Sequence, residues 1–135
     1  MKQTFDTDSI LYQILNGSPA ILSAISGGVY IDERPDGSEA EDIVVNTIDL
    51  TQEYAPQLGT SNVNIHVSDI DVQINGVQQK KKNRERLKSL TTIVLDALKS
   101  AKIEGLALIV TNQTTIKEPT INQHYVNIRV DWVIH

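Results

Sequence analysis

The last eleven residues constrain the fold most tightly: Val126, Ile128, Val130, Trp132 and Ile134 recur at every second position. Tyr125, Asn127, Arg129, Asp131 and His135 lie between and after them, with Val133 as the one apolar interruption. A period of two puts the apolar set on one face of a strand. That face must be covered, so the chain needs a second layer packed on a sheet. An earlier alternation extends the sheet. Val63, Ile65 and Val67 fall on odd positions, and Ile70, Val72 and Ile74 on even ones. The phase change at Ser68-Asp69 reads as a β-bulge, whose extra residue would keep both triplets on one face of a strand over residues 61 to 74.

The covering layer is helical. Leu87, Leu90, Val94, Ala97, Leu98 and Ala101 form one stripe, widened by Ile93 and Leu95, which predicts a long helix over residues 80 to 101. Ile10, Leu11, Ile14 and Leu15 predict a short helix over residues 8 to 16, with Asp6 or Asp8 as cap and Asn16-Gly17 as its end. Ser18 suits the N-cap of a second helix and Pro19 its first position, with Ile21, Leu22 and Ile25 on its apolar face and Gly27-Gly28 as its stop. Further strands are expected over residues 29 to 34, 43 to 51 and 106 to 111. Pro35-Asp36-Gly37 marks a turn, Tyr54 to Gly59 a loop, Asn75-Gly76 a strand end, and Asn112 to Pro119 a polar loop. The order α-α-β-β-β-α-β-β gives an α+β fold: a largely antiparallel sheet of four to five strands with helices on one face. A length of 135 residues fits a single domain over 1–135.

Composition narrows the function classes. Valine and isoleucine number 29 against 11 leucines, which favours strands. Cysteine is absent, which excludes a disulfide scaffold, a thiol nucleophile and thiolate metal sites. No apolar run approaches the roughly 20 residues of a membrane-spanning helix. The opening MKQTFDTDS is polar, unlike a secretory leader, so a soluble protein made inside the cell is expected, with no membrane partner.

Charge is segregated. Residues 32 to 42 (DERPDGSEAED) carry six acids (Asp32, Glu33, Asp36, Glu39, Glu41 and Asp42) and one base. Residues 80 to 88 (KKKNRERLK) carry six bases (Lys80, Lys81, Lys82, Arg84, Arg86 and Lys88) and one acid. Six of the 12 lysines and arginines thus occupy nine residues. Basic residues at a helix start oppose the macrodipole, by about 0.3–1 kcal/mol for each exposed charge, so the run is retained for a contact or is a solvated, frayed start. The acids fall on a hairpin-like turn, either mobile in solvent or ordered on assembly. Segregated charge of this kind suggests a surface built to meet nucleic acid, another protein or another copy of the chain, and in the last case these twelve residues are the candidate subunit interface. The net charge of −5 argues against bulk attraction to DNA, although a small nucleic-acid-binding module using Lys80 to Lys88 is the alternative reading.

Chemistry has little support. His66, His124 and His135 show none of the spacings of metal-binding histidines. Asp69 and Asp71 share a strand face and Asp6 and Asp8 lie near a helix start, but sequence places no further ligand beside either pair. No phosphate-binding glycine motif and no nucleophile elbow is present. The expectation is a non-enzyme without catalytic residues, metal or cofactor.

The layout resembles the tail-terminator, or tail-completion, proteins of long-tailed bacteriophages. TDSILYQILNGSPAILSAISGGVYIDERP resembles their opening helix, short second helix and first strand, and DIVVNTID the next strand. VNIHVSDID followed by RERLKSLTTIVLDALKS resembles their long strand and following helix, and HYVNIRVDWVIH the closing strand. The resemblance spans most of residues 7 to 135 and rests on order and pattern. The family is structural, so no active residue carries over. The resemblance implies a virion protein of the tail or neck, assembled in the host bacterial cytoplasm. It also implies a homo-oligomeric ring, a hexamer in that family, that caps the tail tube and joins it to the head. Its partners would be the tail-tube protein and the head-tail connector, with no specific nucleic-acid recognition. The basic KKKNRER stretch is denser than that family pattern.

Overall fold

In the computed structural model, which describes residues 1–135, the chain forms three helices and seven strands. In order these are α1 (Thr4–Asn16), α2 (Pro19–Ala24), β1 (Val29–Ile31), β2 (Ile43–Leu50) and β3 (Gln57–Ser68). Next come β4 (Ile70–Ile74), β5 (Val77–Lys81), α3 (Arg84–Ser100), β6 (Leu106–Glu118) and β7 (Gln123–Ile134). A five-stranded sheet runs β1-β2-β3-β7-β6, with β1 and β2 parallel and the other neighbours antiparallel. The helices supply its second layer: α1 packs on β1 and β2, and α3 on β3, β6 and β7. The expected α+β architecture is therefore present.

The closing alternation forms β7, and Val126, Ile128, Val130, Trp132 and Ile134 are all buried. Across the ladder Ile128 pairs with Val63, and Val126 with Ile65, so both strands face the same core. From α3, Leu87, Leu90, Val94 and Leu98 close over it. Each such side chain contributes about 1.5–3 kcal/mol by leaving water. One polar chain crosses this core. Trp132 Nε1 donates to Ser61 Oγ at 2.7 Å, Ser61 shares a hydrogen bond with Thr47 (2.7 Å), and Thr47 with Thr7 (2.6 Å). It satisfies the indole N–H and ties β7, β3, β2 and α1 together.

Ser18 caps α2 through its side chain and Pro19 opens it, as the sequence indicates. Four expectations are corrected. First, α1 begins at Thr4, earlier than residue 8, because Gln3 and Asp6 form a capping box in which Gln3 N donates to Asp6 Oδ2 at 2.7 Å. Asp8 is no cap; it is buried within the helix. Second, residues 61 to 74 are not one bulged strand. β3 ends at Ser68, and β4 leaves the sheet to form a separate two-stranded hairpin with β5. Asn75 (φ 53°) and Gly76 (φ 78°) have the positive φ of a two-residue hairpin turn, so they join strands rather than end one. Lys80 and Lys81 consequently lie on β5, and α3 starts only at Arg84, with Asn83 Oδ1 accepting from Arg86 N at 3.2 Å.

Third, residues 112 to 118 are strand, not loop. The polar, β-branched run stays in register with β7 from Asn112↔Arg129 to Glu118↔Gln123, past an irregularity at Thr111. Fourth, the acidic stretch is no hairpin. β1 stops at Ile31 because Asp32 takes a left-handed φ of 65°. Parallel pairing of β1 with β2 makes residues 32 to 42 a crossover that folds back along the sheet.

Candidate functional site: two charged clefts

Within the acidic stretch, the single base organises the rest. Arg34 Nε donates to Asp42 Oδ2 at 2.8 Å and Nη1 to Gln123 Oε1 at 2.7 Å, while Nη2 reaches the Ala40 carbonyl. Asp42 also accepts from Ser38 Oγ (2.6 Å) and from Gly28 N (3.1 Å). Gly27 is required here, because a Cβ would overlap Asp42 Oδ1. Asp42 is only 1% exposed. Burial alone would raise its pKa, but the hydrogen bonds from Ser38, Gly28 and Arg34 outweigh it, and the carboxyl lies below its ordinary range. The crossover is thus pinned to the face of the sheet that the helices leave uncovered.

The two charged stretches meet once inside the chain. Arg86 Nε donates to Glu41 Oε2 at 2.7 Å and Nη2 to Glu41 Oε1 at 2.8 Å; Nη2 also reaches the Ala24 carbonyl. The Arg86 hydrogen bond chiefly lowers the Glu41 pKa, burial opposing it, and the Ser26 N–H and the Arg86 charge add to the lowering. Glu41 also brings a negative charge to the start of α3, which relieves the macrodipole conflict. Lys80 pairs with Asp71 at 2.8 Å across the hairpin, both half-exposed.

Six of the remaining charges line two clefts. One, of about 380 Å³, has Asp32, Glu33, Asp36 and Glu118 around a floor of Val44, His66 and Tyr125, with Arg34 and Asn64 completing it. The other, of about 590 Å³, has Lys82, Arg84 and Lys88, with Glu85, between α3 and the Gln113–Thr115 part of β6, over Leu87, Leu95 and Val126. Tyr125 and Val126 are consecutive residues of β7, so the acidic cleft and the basic cleft open on opposite faces of the sheet. Glu39 is exposed on the crossover and Lys81 on the hairpin. Sequence reasoning missed Glu118, because it placed residues 112 to 119 in a loop and not beside the crossover.

His66 belongs to the acidic cleft. It is 7% exposed, its ring lies 5.0 Å from that of Tyr125, and its Nδ1 has no hydrogen-bond partner. Burial, and then the nearby Arg34 charge, push its pKa down to about 4 against the pull of Asp42. At neutral pH it is an uncharged ring. The other acids considered as ligands are separated: Asp69 Oδ1 lies 2.6 Å from His124 Nδ1, Asp71 faces Lys80, Asp6 caps α1, and Asp8 is buried beside Thr47. No three His, Asp or Glu side chains gather as a metal site. No helix is long and apolar enough to cross a membrane.

No family model matches the chain, and no curated protein matches it. Among solved structures it is similar to a chain of the "Virion of native gene transfer agent (GTA) particle", with a TM-score of 0.64 and 14% identity. The match covers 94% of this chain and 92% of that one. At that identity the likeness is one of fold, and it takes in nearly the whole of both chains.

Proposed function

We propose that this chain is a virion structural protein, and within that class a tail terminator or tail-completion protein: a one-domain subunit of a ring that caps the tail tube and joins it to the head. The observation that carries the reading is the fold likeness, over almost the full length of both chains, to a component of a gene transfer agent virion. The acidic and basic clefts fit it. A ring is built from heterologous contacts, in which one surface of a subunit meets a different surface of the next. Opposite charge on opposite faces of one sheet suits a head-to-tail contact and disfavours self-pairing of either face. The contact would use Asp32, Glu33 and Asp36 on one side and Lys82, Arg84 and Lys88 on the other. Asp42, Glu41 and Arg86 shape those surfaces from within the chain.

The test has two arms. Purified protein viewed by electron microscopy is expected to form closed rings. Particles assembled without the gene are expected to accumulate heads and tails that do not join. Reversing Lys82, Arg84 and Lys88 to Glu should disperse the ring, and reversing Asp32, Glu33 and Asp36 to Lys in the same chain should restore it. Joined, infective particles without this protein would overturn the assignment. Steeply salt-dependent binding to duplex DNA would replace it with nucleic-acid binding through the basic cleft.

A further inference from the structure

The β4–β5 hairpin stands outside the main sheet and carries an apolar stripe that is exposed at both ends and half-buried at Val72 in the middle. Register pairs Ile70 with Lys81, Val72 with Gln79 and Ile74 with Val77, so these six residues share one face. Ile70 is 43% exposed, Ile74 38% and Val77 59%. Asp71 and Lys80, which pair with each other, lie on the opposite face. The two strands pack chiefly on each other, while every strand of the main sheet has a neighbour outside its own hairpin or a helix upon it. A two-stranded hairpin is marginal in water unless a third element covers it. An apolar stripe on such an arm marks a contact surface.

We infer that the apolar face of this hairpin docks on a second copy of the chain, in that copy's acidic cleft. Charge selects this occupant. The stripe ends in Lys81, and the chain runs on into Lys82 at the rim of the basic cleft. The acidic cleft offers complementary features: a floor of Val44, the uncharged His66 ring and the Tyr125 ring, bounded by Asp32, Glu33, Asp36 and Glu118, with four acids against the one base Arg34, which is already held by Asp42. Ile74 and Val77 at the tip meet that floor, and Lys81 meets the acids. Hairpin and cleft are different surfaces of one chain, so the contact is heterologous and propagates from copy to copy. The inference rests on the ring reading for its geometry, and adds the anchor that opposite charge alone lacks.

The experiment places a photo-crosslinking amino acid at Val77 of the full-length protein and irradiates an equal mixture of light and heavy isotope-labelled chains. The expected product is a mixed-label crosslink joining the hairpin peptide to the peptide that carries Val44 or Tyr125. A crosslink within one chain, to another surface of the second copy, or to no protein at all overturns the inference. So does a crosslink only to a different virion protein when the same variant is irradiated in assembled particles. A companion variant, Ile74→Thr with Val77→Thr, keeps β-branching and hence the hairpin while removing apolar surface. Its sedimentation should show at least a tenfold weaker self-association than the parent, and unchanged assembly would count against the docking. Rings with Val77 crosslinked elsewhere would sink the docking and leave the ring reading standing. A crosslink to the second copy's cleft in an open, unringed oligomer would do the reverse.

Discussion

β3 and β4 are consecutive, carry the same alternation, and have opposite fates. In β3, Ile65 is 0% and Val67 3% exposed; in β4, Ile70 is 43% and Ile74 38% exposed. One residue separates the two strands. Asp69 donates its N–H to the Asn122 carbonyl, and its carboxylate holds His124 at 2.6 Å. Those bonds anchor the chain where it leaves the sheet. Periodicity therefore identifies a strand and its apolar face, but not what covers that face. In β3 the cover is α3, from the same chain; for β4 the fold covers only part of the face, leaving Val72 half-buried and Ile70 and Ile74 exposed.

The widest separation between the two strands is expected in stability. Ile65→Ala removes a side chain from the centre of the core and should cost about 3–4 kcal/mol. Ile74→Ala removes one from a surface already wet and should cost less than about 1 kcal/mol in the isolated chain. Chemical unfolding of both variants at low protein concentration, read as a midpoint shift at constant m-value, checks the pair. Equal losses would mean that the hairpin packs on the body of its own chain, and would break the comparison.

The same contrast sets what was legible in the sequence. β7, the stripe of α3 and the Ser18-Pro19 helix start are local patterns, and each forms as read. β5 was missed because VQQKK has one apolar residue; the turn at Asn75-Gly76 and its pairing with β4 make it a strand. The second half of β6 was missed for a like reason, its polar run being held by the ladder to β7. The candidate site was legible as charge and illegible as geometry. Arg34 reaches Gln123 across 89 residues and Arg86 reaches Glu41 across 45, and no local spacing announces either. Those contacts tie up Asp42, Glu41 and Arg86 within the chain and leave the clefts to Asp32, Glu33, Asp36, Lys82, Arg84 and Lys88.

A second prediction sharpens the comparison on the opposite face of β3, where the crossover is the cover. Arg34→Ala strands the Asp42 carboxylate, which is 1% exposed, and empties the contact to Gln123. Breaking one side of such a pair should cost about 3 kcal/mol. Arg86→Ala, whose side chain is 36% exposed, should cost only about 1 kcal/mol. Hydrogen exchange should show residues 32 to 42 deprotected in Arg34→Ala and little changed in Arg86→Ala. If both variants loosened the crossover equally, Arg86 and not Arg34 would be its principal clamp.

The smallest effect is a pH dependence to which β3 contributes through His66. His66 has an ordinary pKa of 6.5 and a folded value of about 4. The unfolded chain therefore binds more protons than the folded one between those values, and stability must rise with pH across that window. The contribution is complete above about pH 6.5 and is lost as pH falls through about 4, an effect of at most about 3 kcal/mol. Asp8 works in the opposite direction: burial raises its pKa above 3.8 despite hydrogen bonding to Thr47, so its contribution falls as pH rises beyond 3.8. Asp8→Asn removes that opposing slope and should steepen the measured rise between pH 4 and 6.5. Asp8→Asn combined with His66→Asn should flatten it except around pH 4.5, where the lowered Glu41 carboxyl still adds a rise. A slope at pH values well above the ordinary Glu41 value of 4.5 that survives both substitutions would assign the proton to another group, and would leave His66 a packed ring with no part in the acid response of the cleft.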